Sequence, residues 1–317
     1  MRSINANLTS GQTERSVAPT VSLTIGGTAY ATRLVSYKHR IAANRARLSQ
    51  ILLGNTDGGL NSTYPTPGDV VTITRGLTVS GTLYSADLPR LWVESVEYHR
   101  GFMTVNCIDF WGRLSHWRAE SDQSWSSTAI TTIVDWILTQ VGLSRSGSLT
   151  SLTLDFSIPK GQRGDIALRR ICAKIPEYPY HGLAANVKFK QIVSTEATCY
   201  TYGWQTGGVN PPNHPYKSIY LNEGAWEYNE ITVTGASTQS TTYTGTAQDA
   251  TQISNVGTRF KHIVDESLSS NAECSQRAQA ELDYYEAQAT QIELVALPTH
   301  GLEIYDRVSI ASTPWGG

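Results

Sequence analysis

The stretch from Val256 to Ile310 constrains the fold most, because its hydrophobic period changes twice and each change marks an element boundary. Ser270 followed by Glu273 has the S-x-x-E spacing of a capping box, in which each side chain satisfies a backbone N–H left unpaired by the first helical turn. Behind it, Cys274, Ala278, Leu282, Tyr285 and Ala289 recur at steps of three and four. This is one stripe of a helix, with Gln276, Arg277, Glu281, Asp283 and Glu286 on the wet side. Phe260 to Asp265 predicts a strand before the helix, and Ile292, Leu294 and Ala296 alternate after it. Pro298 and Gly301 mark a turn, and Leu302 to Ile310 predicts a last strand. The unit is a small α+β module whose helix covers one face of a sheet.

A chain of 317 residues is long enough for two or three domains. Trp (8) and Tyr (16) greatly outnumber Phe (5) and Met (2) in a background rich in Ser, Thr and Gly, which favours strands and turns over a helical bundle. No apolar run reaches the length of a membrane span. Residues 1–19 lack the apolar core of a secretory signal and predict a disordered or partner-ordered arm. Cys107, Cys172, Cys199 and Cys274 are widely spaced, as expected of buried free thiols in a reducing compartment.

Residues 20–118 form a first β-rich block. Val21 to Ile25 alternates before a Gly26-Gly27 turn, and Arg45 to Ser49 alternates before the apolar run Ile51–Leu53. Further short strands follow within 69–73, 81–84, 91–96 and 103–108, the pattern of a sandwich or barrel. Residues 119–225 differ. Ser126 or Ser127 is placed to cap a helix carrying Ile130, Ile133, Val134, Ile137 and Val141, and a second helix begins near Asp165 and stops by Pro176. Tyr200 to Tyr216 predicts a surface loop, being rich in Gly and Pro. Strands return at 229–235, followed by a polar Ser/Thr loop to about Asp249, within a last block spanning 226–317.

The net charge of −2 conceals a gradient: residues 1–118 hold 12 Lys/Arg against 7 Asp/Glu, whereas residues 223–317 hold 4 against 13. Arg33, Lys38, His39, Arg40, Arg45 and Arg47 occur with no acidic residue between Glu14 and Asp57. Arg45 and Arg47, two apart on one strand face, suit carboxylates on a neighbouring copy. The alternatives are a solvated face or contact with DNA phosphates, but no aromatic ladder accompanies the charges. Arg40, Arg45 and Arg47, with Glu281, Asp283 and Glu286 on the acidic side, are the candidate inter-subunit contacts. No hydrolase elbow, metalloprotease helix or phosphate-binding Gly loop is present. Seven isolated histidines and no Cys pair give no metal-ligand spacing. His116 and His262 are expected as hydrogen-bonded structural residues, and no catalytic, cofactor or metal residue is assigned.

Three segments of the first block carry a resemblance: P-G-D-V-V-T-I (67–73), L-T-V-S-G-T-L-Y (77–84) and V-E-S-V-E-Y-H-R-G-F-M-T-V-N-C-I-D-F-W-G-R-L (93–114). So do D-I-A-L-R-R-I (165–171), R-A-Q-A-E-L (277–282) and E-L-V-A-L-P-T-H-G-L-E-I-Y-D-R-V-S-I (293–310). In this order they are similar to the hub proteins of tailed bacteriophages, across roughly residues 20–313. Tyr305 departs from the pattern, standing where that family often has Gly before the Asp (Asp306 here).

The resemblance implies a mainly β, α+β chain with two tail-tube-like barrel or sandwich domains (20–118 and 226–317) flanking a mixed α/β insert (119–225). It implies a virion protein, made in the host bacterial cytoplasm. Three copies would close a hub ring between the six-fold tail tube or distal tail protein and a three-fold tip or spike, around a channel for viral DNA. Two other readings stand beside it. Trp111, Trp117, Trp125, Trp204 and Trp226 admit a carbohydrate-binding tail module, and a tail-associated cell-wall hydrolase lacks catalytic residues.

Overall fold

The structure, a computed structural model, describes residues 4–11, 18–193, 195–203, 214–223, 227–237, 241–296 and 299–311. It opens with helix α1 (Ala6–Gly11), followed by β1 (Ala18–Ile25), β2 (Thr28–Ala29), β3 (Leu34–Lys38), β4 (Leu48–Gly54), β5 (Val70–Val79), β6 (Thr82–Asp87), β7 (Leu91–His99) and β8 (Phe102–Ile108). These strands form one antiparallel eight-stranded sheet in the order β2-β1-β5-β7-β8-β4-β3, with β6 on β5. The Gly26-Gly27 turn closes β1 on β2 with φ of 57° and 84°, a backbone that only glycine adopts without strain. Alternation sets the register: Leu23 lies opposite Ile73, Ile25 opposite Val71, Ile51 opposite Val105 and Leu53 opposite Met103, all buried on one face. The barrel expected for this block is not closed, since β2 and β3 end the sheet without pairing to each other.

Two expectations change here. The N-terminal arm is docked where it is described: Leu8 is fully buried, and the Asn7 amide donates to the Tyr84 hydroxyl at 2.7 Å. Arg45 and Arg47 do not share a strand face. They precede β4, in the 39–47 loop, because the pairing of β4 with β8 begins only at Leu48↔Ile108.

The middle of the chain contains α2 (Phe110–His116), β9 (Gln123–Ala129), α3 (Ile130–Thr139), β10 (Ser144–Ser146), β11 (Thr153–Ile158), α4 (Gly164–Cys172), β12 (Glu177–His181) and β13 (Asn186–Gln191). The stripe Ile130, Ile133, Val134 and Ile137 of α3 packs with Leu168 and Ile171 of α4 and with Phe110, Trp111 and Leu114 of α2 in the largest apolar core. Ser126 and Ser127 do not cap α3. They lie in β9, where the Ser127 N–H donates to Asp155 Oδ1 at 2.7 Å beside a bulge in the β9–β11 pairing.

The last part comprises β14 (Tyr200–Gly203), β15 (His214–Glu223), β16 (Glu230–Ser237), β17 (Thr242–Gln248), α5 (Ala250–Val256), β18 (Phe260–Val264), α6 (Asn271–Ala289), β19 (Thr290–Ala296) and β20 (Val308–Ala311). The expected loops at 200–216 and before Asp249 thus contain strand, while 204–213 lie outside the described residues. The polar run of β17 pairs because its β-branched Thr residues face outward while Gly245 and Ala247 face α6. Residues 302–307 form a turn, and only Val308–Ala311 is strand.

Helix α6 covers the sheet β17-β16-β18, as its stripe requires: Cys274, Ala278 and Leu282 are buried against Ile231 and Val233. Strands β19 and β20 instead join β15 and β14 in the order β19-β15-β14-β20, so pairing runs across the expected 225/226 division. The cap is half of the predicted box. Ser270 Oγ accepts from the Glu273 N–H at 3.2 Å, but Glu273 reaches one residue further back, accepting from the Ser269 N–H at 2.6 Å.

The approach of α6 to β17 leaves no room for a side chain at Gly245, where a Cβ would stand 2.2 Å from the Ser275 nitrogen and 2.4 Å from the Cys274 carbonyl carbon. Both are backbone atoms and cannot rotate away. Gly245→Ala is expected to cost about 1–3 kcal/mol or more by overpacking, read as a lower urea midpoint. Thr246→Ala, on the solvent side of the same strand, should lose much less.

Candidate functional site

The basic cluster is presented by the loop between β3 and β4, and three contacts pin that loop. Ser49 Oγ accepts from the Arg40 N–H at 2.9 Å, the Trp111 indole N–H donates to the Ala43 carbonyl at 3.0 Å, and the Arg47 N–H faces the Asp109 carboxylate. Asp109 is fully buried at the N-terminus of α2, with Oδ1 accepting from the Gly112 N–H at 2.9 Å. Its Oδ2 has no hydrogen-bond partner, and burial pushes its pKa up to about 7 against the opposing pull of the Gly112, Arg47 and Trp111 N–H groups.

Arg33 leaves the cluster through a two-point ion pair with Asp57, both bonds 2.8 Å, which holds the Asp57 carboxyl well below the usual range. His39 is occupied as well, its Nε2 lying 2.9 Å from the Pro89 carbonyl. Arg40, Arg45 and Arg47 remain exposed, with no side-chain ion pair or hydrogen bond among the described residues.

The three acidic candidates on α6 separate. Glu281 is not on the wet side: it is 9% exposed, accepts from Lys261 Nζ at 3.0 Å and pairs with Arg277 one turn earlier. Lys261 also donates to the Tyr285 hydroxyl at 2.8 Å and lies over that ring. Asp283 accepts from the Gln279 amide at 2.8 Å, and Glu286 is exposed. Desolvation first, then Asp283 and Asp249, raise the Glu286 pKa, as expected on a surface where acidic groups crowd. The loop and the helix meet across a cavity of about 480 Å³, lined among others by Asn44, Trp111, Arg169, Tyr178, Arg277 and Tyr284.

Ion pairs join the middle of the chain to its end. Lys174 pairs with Asp265, Lys188 with Glu303 at 2.6 Å, and Lys190 with Glu196 at 2.6 Å and Asp306 at 3.3 Å. Glu196, Cys199 and Asp306 bring three possible ligand atoms within 4.8 Å of one another, but the Lys190 ammonium already serves both carboxylates. Tyr305 keeps the left-handed backbone suited to glycine, with φ of 67°, at a cost of about 1–2 kcal/mol. Its ring packs 5.8 Å from Tyr178 and 6.0 Å from Tyr180.

His116 lies 3.3 Å from Glu94, and His262 is 2.8 Å from the Thr234 hydroxyl. Cys107, Cys172 and Cys274 are buried thiols and Cys199 is half-buried. Trp111 is buried, and Trp117 and Trp125 pack with Trp136 against the core, which leaves them as packing rings. Trp204 and Trp226 lie outside the described residues. Among the described residues, no helix is long and apolar enough to cross a membrane. Among the described residues strand β18 pairs only with β16, and on its outward face Phe260 and Val264, on either side of His262, are 52% and 63% exposed at an open edge.

No protein-family model and no curated protein matches the chain. Solved structures do. A tail protein from Neisseria meningitidis superposes with a TM-score of 0.64 at 14% identity, over 93% of this chain and 87% of that one. Prophage tail protein gp18 from Listeria monocytogenes gives 0.58 at 11% identity, over 94% and 86%. The 43 kDa tail protein of prophage MuSo2 from Shewanella oneidensis gives 0.57 at 15% identity, over 92% and 87%. The chain shares the fold of these phage tail proteins over more than nine-tenths of its length.

Three substitutions test this chemistry. In Asp109 the folded-state pKa is raised, so between about pH 4 and 7 the folded state binds more protons and stability falls as pH rises, levelling off above. Asp109→Asn keeps the capping oxygen and removes that slope. Its stability relative to wild type should rise across the window by a few kcal/mol, on the order of 3, in urea unfolding at each pH. Glu281→Gln leaves Arg277 and Lys261 without their shared carboxylate and is expected to cost about 3–5 kcal/mol. Lys261→Met, which leaves Glu281 paired with Arg277, should cost clearly less in the same assay.

Proposed function

We propose that this chain is a structural subunit of a bacteriophage tail tip, forming the hub ring that joins the six-fold tail tube or distal tail protein to a three-fold tip or spike. The observation that supports the reading is the likeness to tail proteins over 93% of the chain. In this reading residues 20–118 and 226–317 stand in for two adjacent tube subunits, with 119–225 as the insert between them, and three chains close a ring around the DNA channel. The protein is made in the host bacterial cytoplasm and carried in the virion, and it performs no catalysis.

Three features support assembly through unlike surfaces. Arg40, Arg45 and Arg47 are exposed on a pinned loop, with no side-chain partner among the described residues. Glu286 and Asp283 form an acidic shelf of α6. The edge of β18 offers unpaired backbone between exposed apolar residues. Within the ring the arginine loop of one copy meets an acidic surface of the next.

The purified full-length protein is expected to sediment as a trimer, and three-fold order should appear at the tip of the particles. Arg45→Glu combined with Arg47→Glu should shift it to monomer while its melting temperature stays within about 2–4 °C of wild type, the shift produced by roughly 1 kcal/mol. A protein that is monomeric at all concentrations and missing from particles would overturn the assignment.

A further inference from the structure

The cavity of about 480 Å³ between the 39–47 loop and α6 is lined by three tyrosines: Tyr178 on β12, Tyr284 on α6 and Tyr305 in the 302–307 turn. Their rings pack on one another, with Tyr178 stacked on Tyr284 at 5.3 Å, planes 17° apart, and 5.8 Å from Tyr305. That packing fixes the directions of the three hydroxyls. None of them has a hydrogen-bond partner among the described residues, and none is sealed from solvent. Burial raises the Tyr178 pKa, as do Glu281, Tyr284 and Tyr305 against the pull of Arg277, so the phenol oxygens stand within electrostatic reach of one another. Burial, then Tyr284 and Cys172, which also lines the cavity, do the same for Tyr305. The hydroxyls therefore open toward one space. At its mouth Asn44 of the loop and Gln288 of α6 are exposed, and neither amide has a partner among the described residues.

The charges around the cavity are already paired. Arg277 is bonded to Glu281, which also accepts from Lys261 at 3.0 Å. Arg169 pairs with Asp165 at 3.3 Å and lies 5.0 Å over the Trp111 ring. An entering ion would have to break one of these pairs, so the cavity favours a neutral ligand. Five groups are left open, three hydroxyls and two amides, and each can both donate and accept. Beside them stand Ala43, Pro179, Ile192 and Ala287, an apolar wall. An aliphatic or aromatic group would cover that wall, but it would leave the hydroxyls without hydration or a partner. A pyranose ring matches both parts, with a C–H face for the wall and a rim of hydroxyls that donate and accept. The volume lies within the roughly 300–1,000 Å³ of small-ligand sites.

We propose that this cavity binds a neutral pyranose sugar, hydrogen-bonded by Tyr178, Tyr284 and Tyr305, with Asn44 and Gln288 at its mouth. Trp111 supplies no stacking face, since it is 1% exposed and Arg169 lies over its ring. The cavity is built within one chain and needs no second copy to complete it. Its mouth nevertheless shares the 39–47 loop and α6 with the contact proposed between copies, so the occupied ring and the free chain can differ in access.

The full-length protein is titrated by calorimetry and saturation-transfer NMR with the methyl glycosides of glucose, galactose and mannose and with N-acetylglucosamine, beside glucuronate and p-cresol. Saturable binding of at least one neutral sugar, with a Kd of about 1 mM or below, is expected. Tyr178→Phe and Tyr284→Phe keep the rings and remove one hydroxyl each, and should weaken it about three- to tenfold. Ala287→Trp, at an exposed position of the wall, should abolish binding with the urea midpoint unchanged, and it decides if a tyrosine variant does not fold. Tyr64→Phe, whose ring packs on Tyr98 of the first sheet, should change nothing. The same titration is run on the Arg45→Glu, Arg47→Glu protein. Binding confined to that variant would support the site and put its mouth in the contact between copies. No saturation by any neutral sugar in either protein would overturn the proposal. So would glucuronate or p-cresol binding as tightly as the best neutral sugar, or affinity unchanged in the folded Tyr178, Tyr284 and Ala287 variants.

Discussion

The carboxylate of Asp109 sits where the first sheet hands over to the rest of the molecule, and much of the architecture is arranged around it. It ends β8, caps α2 through Gly112 and faces the Arg47 N–H of the arginine loop, while being fully buried. A buried charge with one unpartnered oxygen is unfavourable in itself. Here it orients α2 so that Phe110, Trp111 and Leu114 enter the core shared with α3 and α4. Trp111 then returns a hydrogen bond to Ala43 and holds the other end of the loop. The placement of three exposed arginines therefore depends on a group five strands further along the chain.

A different solution holds the end of the chain. The apolar core under α6 is small, built on Ile231, Val233, Ala247, Leu268 and the cysteine–alanine–leucine stripe. Small residues on the stripe, with Gly235 and Gly245 beneath it, bring helix and sheet close enough that a Cβ would meet backbone atoms. What a small core does not supply, half-buried ion pairs add: Lys261 and Arg277 share Glu281, and Lys174, Lys188 and Lys190 reach from the middle of the chain to Asp265, Glu303 and Asp306. The lysines keep their stems in the apolar layer, and their charges specify which surfaces meet.

Part of this was legible in the sequence. The stripes of α3, α4 and α6 stand out because helical period is a local property, and the strands of the first block stand out because alternation is local too. Gly26-Gly27 announced its hairpin. Strand β17 was hidden because its inward residues are Gly and Ala, which carry no hydrophobic signal, and its outward Thr residues resemble a polar loop. Strands β14 and β15 were masked by the Gly- and Pro-rich stretch between them. The capping serines chosen for α3 belong to a strand, since cap chemistry alone does not exclude pairing with β11. Arg45 and Arg47 alternate on paper, but the backbone partner that would make them strand begins one residue later.

The sequence by itself determined a mainly β, α+β chain with α3, α4 and α6 near their observed places, and the order of motifs matched the phage tail fold found here. Tertiary structure alone decided which charges are available. Glu281 is consumed because Lys261 and Arg277 converge on it, whereas Arg40, Arg45 and Arg47 stay exposed with no side-chain partner among the described residues. Tyr305 shows the same division: its side chain is readable, but not that the turn retains a left-handed backbone and seats the ring between Tyr178 and Tyr180. Period and turn chemistry act between neighbours in the chain, whereas desolvation and charge pairing depend on distances in space, and only the folded chain sets those.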